Sequence, residues 1–211
     1  ELKNLTVEAN KFTQAGRSIQ SVGNRLTEAG QKGMKFTGIV AGAAAGLAAA
    51  TEANREYRED INRLEAAFTT AGKTVEEANQ AYHDFYVILG EEDRSVEAVN
   101  HLAKLCNSQE ELAKWSDICA GVSATFGDSL PIEGLTEAAN ETAKVSKVTG
   151  PLADALNWAG ISEDAFNGAL KKTNSEQERS ALITNTLQTV YQDAANEFRT
   201  LNADVIANRE A

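Results

Sequence analysis

The stretch Thr74-Val-Glu-Glu-Ala-Asn-Gln-Ala-Tyr-His-Asp-Phe-Tyr-Val-Ile-Leu-Gly90 decides the fold class. Thr74 and Glu77 have the spacing of a capping box, in which each side chain accepts a free backbone N–H at the start of a helix. The residues that follow place apolar side chains on one helical face, and these are Val75, Ala78, Tyr82, Phe85 and Leu89. Gly90 suits the left-handed conformation that ends many helices. The stretch therefore predicts an amphipathic α-helix with both of its ends encoded.

Similar starts and stops recur on both sides of this helix. Gly72 and Gly127 are predicted helix ends, and two prolines in 211 residues leave long helices uninterrupted. The predicted helix starts are Ser95 as an N-cap, Ser108 with Glu111 as a second capping box, Pro131, Ser162, and Asn174 or Ser175. No run of alternating β-branched and polar residues predicts a strand. We therefore predict an all-α fold of eight to ten helices.

The first 33 residues carry an apolar repeat of seven. Leu5, Phe12, Ile19 and Leu26 occupy one position of the repeat, and Ala15, Val22 and Ala29 follow the last three of them by three residues. This is the a/d seam of a coiled coil, and we expect it to mediate self-association or contact with a tube lumen. The alternative is a weak, solvated helix, because glycines at 16, 23 and 30 lower helix propensity.

Residues 36–50 contain no charged residue and are mostly alanine and glycine. Gly38, Gly42 and Gly46 form two overlapping G-x-x-x-G units, the spacing that lets helices pack closely in lipid. The segment is shorter than the ~20 residues that span a bilayer. We expect it to pack against other protein, and the alternatives are entry into a membrane or a flexible linker.

These patterns divide the chain into four parts. Residues 1–33 form a coiled-coil arm, residues 34–60 the Ala/Gly-rich apolar helix and its continuation, residues 61–173 a compact helical region, and residues 174–211 a long C-terminal helix. The predicted apolar stripe of the last helix is Leu187, Val190, Ala194, Phe198, Leu201 and Val205. Long helical arms are thus expected to flank a compact, multi-helix middle. The chain starts without methionine, so we expect it to be a piece of a longer protein.

Composition and motifs argue against an enzyme. The formal net charge of −11 disfavours binding to nucleic acid or to anionic lipid. His83 and His101 have no partners at metal-ligand spacing, and no phosphate-binding loop or nucleophile elbow occurs. We expect both histidines at the surface or its boundary. The cysteines and tryptophans, Cys106, Cys119, Trp115 and Trp158, fall in apolar helical settings and are predicted to lie in the core. We predict no catalytic, metal or cofactor site.

Two adjoining stretches resemble a known family. They read Phe126-Gly-Asp-Ser-Leu-Pro-Ile-Glu-Gly-Leu-Thr-Glu-Ala-Ala-Asn-Glu-Thr142 and Lys144-Val-Ser-Lys-Val-Thr-Gly-Pro-Leu-Ala-Asp-Ala-Leu-Asn-Trp-Ala-Gly-Ile-Ser-Glu-Asp-Ala-Phe166. Both are similar to the tail tape measure proteins, or minor tail proteins, of long-tailed phages and prophages of Firmicutes. The glycine-spaced heptads before an Ala/Gly-rich segment fit the same family, as does the C-terminal end. The resemblance covers nearly the whole chain, and residues 126–166 are its specific part.

The resemblance implies a structural role in the virion. Such proteins lie in the lumen of the tail tube, set the length of the tube during assembly, and leave ahead of the DNA at infection. The implied partners are other copies of the chain, the tube protein, tail assembly chaperones and tail-tip proteins. The implied locations are the tail lumen and, during assembly, the host cytoplasm. In the alternative, residues 36–50 act in the host membrane at ejection and help to form a channel for DNA.

Overall fold

A computed structural model describes the backbone of residues 47–210 and the side chains of residues 55 and 57–210. Throughout this part of the chain, the regular elements are helices and no strand occurs. They are α1 (Leu47–Thr70), α2 (Val75–Leu89), α3 (Glu92–Leu105), α4 (Gln109–Phe126), a 3₁₀ turn (Gly127–Ser129), α5 (Ile132–Val145), α6 (Gly150–Trp158), α7 (Glu163–Leu170), α8 (Glu176–Leu201) and α9 (Ala203–Glu210). The predicted all-α class is confirmed for these residues, whereas the N-terminal coiled-coil arm lies outside them.

Most helices begin and end at the residues predicted from the sequence. Thr74 accepts a hydrogen bond from the Glu77 N–H at 3.1 Å, and Glu77 accepts one from the Thr74 N–H at 2.8 Å, which completes the capping box. Ser108, Ser162 and Ser175 each accept the N–H three residues on, at the starts of α4, α7 and α8. The predicted box of Ser108 with Glu111 forms only in this half, because Glu111 accepts from the Asn107 N–H instead. Gly90 ends α2 in the left-handed conformation, with φ at 73°. Local chemistry therefore sets the boundaries of these helices.

The start of α3 differs from the prediction. Ser95 is not the N-cap, because the helix already begins at Glu92. Ser95 is buried inside the first turns, where its hydroxyl donates to the Glu91 carbonyl at 2.6 Å. Glu92 and Asp93 lie in the first turn, where the positive end of the helix dipole favours carboxylates. This acidic run lets the helix start three residues before the serine.

The core belongs to one unit, Glu56–Arg209, while residues 1–55 and 210–211 group apart from it. Within the unit, α4 and α8 make the most extensive pair, α3 packs against α5, and α2 lies against α3 and α4. The largest fully buried side chains include Trp115, Phe68, Phe85, Ile118 and Leu135. Burying such side chains contributes roughly 1.5–3 kcal/mol each to folding. Helix-on-helix packing thus supplies the stability of the fold.

Side-chain bonds reinforce the pairing of α4 with α8. The buried Trp115 indole N–H donates to the Thr184 hydroxyl at 3.0 Å, and Arg199 pairs with Asp117 at 2.8 Å. Gly121 in α4 lies directly against the backbone of Tyr191, so closely that no side chain fits between them. The absence of a Cβ at position 121 therefore allows the two helices to approach one another at this point.

Residues 174–209 belong to this unit. Helix α8 ends at Leu201, and α9 starts after Asn202. The buried apolar residues of α8 are Ile183, Leu187, Tyr191 and Ala195. Of the predicted stripe, Leu187 is fully buried, and Val190 and Phe198 are partly buried against the core. Leu201 is 75% exposed and Val205 is 45% exposed, contrary to the predicted stripe. The contact with α4 therefore buries Tyr191 and Ala195, each one residue after a member of the predicted stripe.

Candidate interaction surface

The self-association and helix-packing residues predicted from the sequence lie outside the described residues. These are Leu5, Phe12, Ala15, Ile19, Val22, Leu26 and Ala29 of the heptad segment, and Gly38, Gly42 and Gly46 of the apolar segment. Both assignments stay predictions. In residues 47–210, no helix is long and apolar enough to cross a membrane.

The two cysteines lie in the core, as predicted. Cys106 and Cys119 are free thiols and fully buried. Burial raises the pKa of Cys119 to about 12 and also raises the pKa of Cys106, because each thiolate would lose its hydration. Both remain protonated at neutral pH and act as small apolar side chains. His83 is exposed and His101 half-buried, and the described residues hold no group of three metal-ligating side chains.

A cluster of tyrosines and carboxylates joins α1 to α2 and α3. The Tyr82 ring lies 6.1 Å from that of Tyr57 and 5.9 Å from that of Tyr86, measured between centroids. Burial raises the pKa of Tyr57 and of Tyr82 well above the ordinary value of 10.0. The pKa of Glu92 is also raised, first by burial and then by Asp93 and Asp60. The contact of Tyr57 with Tyr82 thus joins α1 to α2 through phenols that stay protonated at neutral pH.

The most unusual surface feature is Trp158 at the end of α6. Helix α6 buries Leu152, Ala155 and Leu156. Trp158 comes two residues after Leu156, about 200° around the helix. Its side chain is accordingly 69% exposed, so the prediction that it lies in the core is wrong. The helical period that places Leu152 and Leu156 inward already places this tryptophan outward.

A row of aromatic rings fixes Trp158 to the core. The Trp158 ring meets the Phe126 ring edge-on, with centroids 5.3 Å apart, and Phe126 in turn lies 6.0 Å from Tyr191. Tyr191 is buried, and its hydroxyl donates to the Ala155 carbonyl in α6 at 2.6 Å. Burial raises the pKa of Tyr191 to about 12, so the hydroxyl stays protonated as a donor. The row links α4, α6 and α8 and holds the exposed indole on a rigid support.

The charges near Trp158 along the chain are all negative. Between Lys147 and Lys171 the sequence contains three acidic residues and no basic residue. The acids are Asp154, Glu163 and Asp164, and all three are exposed. Asp154 precedes Trp158 by four residues, which places it on the same side of α6. We call Phe126, Asp154, Trp158, Glu163 and Asp164 together the Trp158 surface.

The chemistry of the Trp158 surface suits binding to a partner. Tryptophan is enriched among residues that contribute most to protein interfaces, because it buries a large area at a small entropic cost. An acidic border favours a partner with basic side chains. Comparison with known proteins yields no match to a family model, a curated protein or a solved structure.

Proposed function

We propose that the chain is a segment of a phage tail tape measure protein, a structural component that sets the length of the tail tube. The observation that carries the proposal is the resemblance of residues 126–166 to that family, in a chain whose described elements are helical. The proposed partners are other copies, the tube protein, assembly chaperones and tail-tip proteins. The proposed location is the lumen of the tail, with release ahead of the DNA at infection.

Helical structure supports this role through simple geometry. An α-helix converts chain length to distance at about 1.5 Å per residue, so the 24 residues of α1 span about 36 Å. A repeat of seven, as in residues 1–33, keeps such helices aligned with their neighbours over long distances. The formal charge of −11 also disfavours binding to the DNA that follows the protein through the tube.

The test is the length of tails made with an altered parent gene. We expect in-frame removal of residues 6–26, three heptads, to shorten tails by about 30 Å, and duplication of the same residues to lengthen them by about 30 Å. The control variant keeps all residues of this segment but exchanges the polar residues of 6–26 among themselves, and it should give tails of the original length. Electron microscopy of many particles measures the change. Normal particle yield with unchanged length in both variants would remove the heptad segment from the measuring role.

The second candidate is a membrane-active role for residues 36–50. The favouring observation is the uncharged sequence with Gly38, Gly42 and Gly46 spaced for close helix packing in lipid. A peptide of residues 30–55 should release dye from liposomes, and Gly42→Leu should suppress the release by blocking close approach. Equal leakage from both peptides, or leakage from neither, excludes this role.

A further inference from the structure

We propose that the Trp158 surface is the docking site for residues 1–33 of a second copy of this chain. The proposal deepens the proposed function, because it names the place where copies contact one another. It can nevertheless be tested on the purified protein, without any measurement of tails.

The first argument is the state of Trp158 itself. Its indole is 69% exposed, although tryptophan is among the most apolar side chains by area. The ring packs edge-on against Phe126, with the centroids 5.3 Å apart, and most of it stays in contact with solvent. A partner that covers the ring therefore gains apolar burial.

The second argument is charge complementarity. The first 33 residues contain five basic and three acidic residues, although the whole chain has a formal net charge of −11. Lys11, Arg17 and Arg25 lie next to or near the heptad residues Phe12, Ile19 and Leu26. The Trp158 surface has the opposite charge, because Asp154 lies about one helical turn before the exposed ring, and Glu163 and Asp164 follow it closely in the chain. Basic side chains can pair with Asp154, and an arginine can also stack on the indole.

The third argument concerns the geometry of assembly. Because the segment and the Trp158 surface are different parts of the chain, one copy can receive a segment and offer its own. Two copies that exchange segments form a closed pair, and an exchange that passes on to a third copy forms a ring or an open chain. We therefore expect association that depends on the concentration of the chain.

The first experiment titrates a peptide of residues 1–33 into the full-length chain. The peptide has no tryptophan, so indole emission reports only on Trp115 and Trp158 of the chain. Trp115 is already buried. We expect a blue shift and protection from acrylamide quenching as Trp158 becomes covered. Unchanged emission and quenching at saturating peptide would overturn the proposal.

Labelled peptide and chain variants locate the binding site. In fluorescence anisotropy, Trp158→Ala should weaken binding about tenfold or more, as at an interface hot spot. Trp158→Phe should lose less than that. Leu201→Ala is the matched control, since Leu201 is also large, apolar and exposed. Equal affinity of the Trp158→Ala chain and the original chain would contradict the assignment, and circular dichroism verifies that each variant is folded.

A charge exchange tests the acidic border. Asp154→Lys should weaken binding several-fold, and a peptide with Arg17→Glu and Arg25→Glu should restore part of the loss. Asp193→Lys, an exposed change in α8, is the control. Sedimentation of the full chain identifies the source of the segment. A mass that rises with concentration, and rises less with Trp158→Ala, supports a second copy. An indole already protected in the dilute monomer would assign the surface to the chain's own segment and refute the second-copy proposal.

Discussion

Gly121 shows how one hydrogen atom in place of a methyl group determines the packing of two helices. A Cβ at this position would stand 2.8 Å from the Cβ of Tyr191 and closer still to the Tyr191 carbonyl oxygen. Backbone cannot give way as the end of a flexible side chain can. An alanine would therefore push α8 away from α4. This movement would lengthen the Trp115–Thr184 hydrogen bond and loosen the contact of Phe126 with Tyr191.

We predict that Gly121→Ala lowers the free energy of unfolding by about 1–3 kcal/mol, because overpacking outweighs the better helix propensity of alanine. The matched control is Gly168→Ala in α7, where a Cβ meets nothing within 4 Å. That variant should leave stability unchanged or raise it by up to about 1 kcal/mol. Urea unfolding followed by circular dichroism measures both. Equal stabilities for the two variants would mean that α4 and α8 do not approach closely at Gly121.

At the scale of the element, helix boundaries were predictable and helix faces less so. Thr74, Gly90 and Ser175 act through bonds to neighbours within four residues, so their effect is legible in the sequence. The buried face of α8 depends on α4, more than fifty residues earlier in the chain. Apolar residues on α8 form two overlapping stripes, one through Tyr191 and one through Leu201. Only the partner helix decides which stripe is buried, and a heptad pattern alone cannot show this.

The exposure of Trp158 could have been found from the sequence. Leu152 and Leu156 are four residues apart and define the inner face of α6, which leaves Trp158 on the other side. Apolar character alone suggested a core residue, whereas the helical period indicated a surface residue. What the sequence could not show is the contact with Phe126, because that ring comes from α4.

The junction of α1 with α3 should respond to pH through Glu92. Its pKa is raised in the folded chain above the ordinary value of 4.5, chiefly by burial and also by Asp93 and Asp60. The group therefore stabilises the fold fully below about pH 4.5, and this contribution is lost as the pH rises through the folded-state pKa. At neutral pH the ionised Glu92 carboxylate lowers the stability of the fold. Its negative charge also contributes to the raised pKa of Tyr57 and of Tyr82.

We predict that Glu92→Gln raises the free energy of unfolding at neutral pH, with a gain that shrinks as the pH falls towards 4.5. Urea unfolding at several pH values measures the difference between variant and original chain. Glu97→Gln, an exposed change in the same helix, is the control for the loss of one carboxylate from the surface. A difference for Glu92→Gln that does not depend on pH would show that the pKa of Glu92 does not change on folding.

For the whole molecule, the heptad segment and the helical unit should respond differently to shortening. The unit Glu56–Arg209 owes its stability to side chains that meet across long stretches of sequence, above all between α4 and α8. Removing seven residues from α8 turns the residues that follow by only about 20° around the helix axis, but it moves them about 10 Å along the axis, away from their partners on α4. A deletion within this unit is therefore expected to disrupt its folding, whereas a deletion from a single extended helix only shortens that helix.

We predict that in-frame removal of residues 185–191 from the parent gene abolishes the folded unit, because it deletes Leu187 and Tyr191 from the core. Loss of cooperative unfolding in the purified variant measures this effect. If the unit stays folded in the tail, phages with this deletion should fail to assemble tails. Removal of seven residues from the 1–33 segment is the control, and it should give intact tails shortened by about 10 Å. Intact tails shortened by about 10 Å with the 185–191 deletion as well would contradict this. That outcome would mean that the unit opens during assembly and that its helices measure length in an extended form.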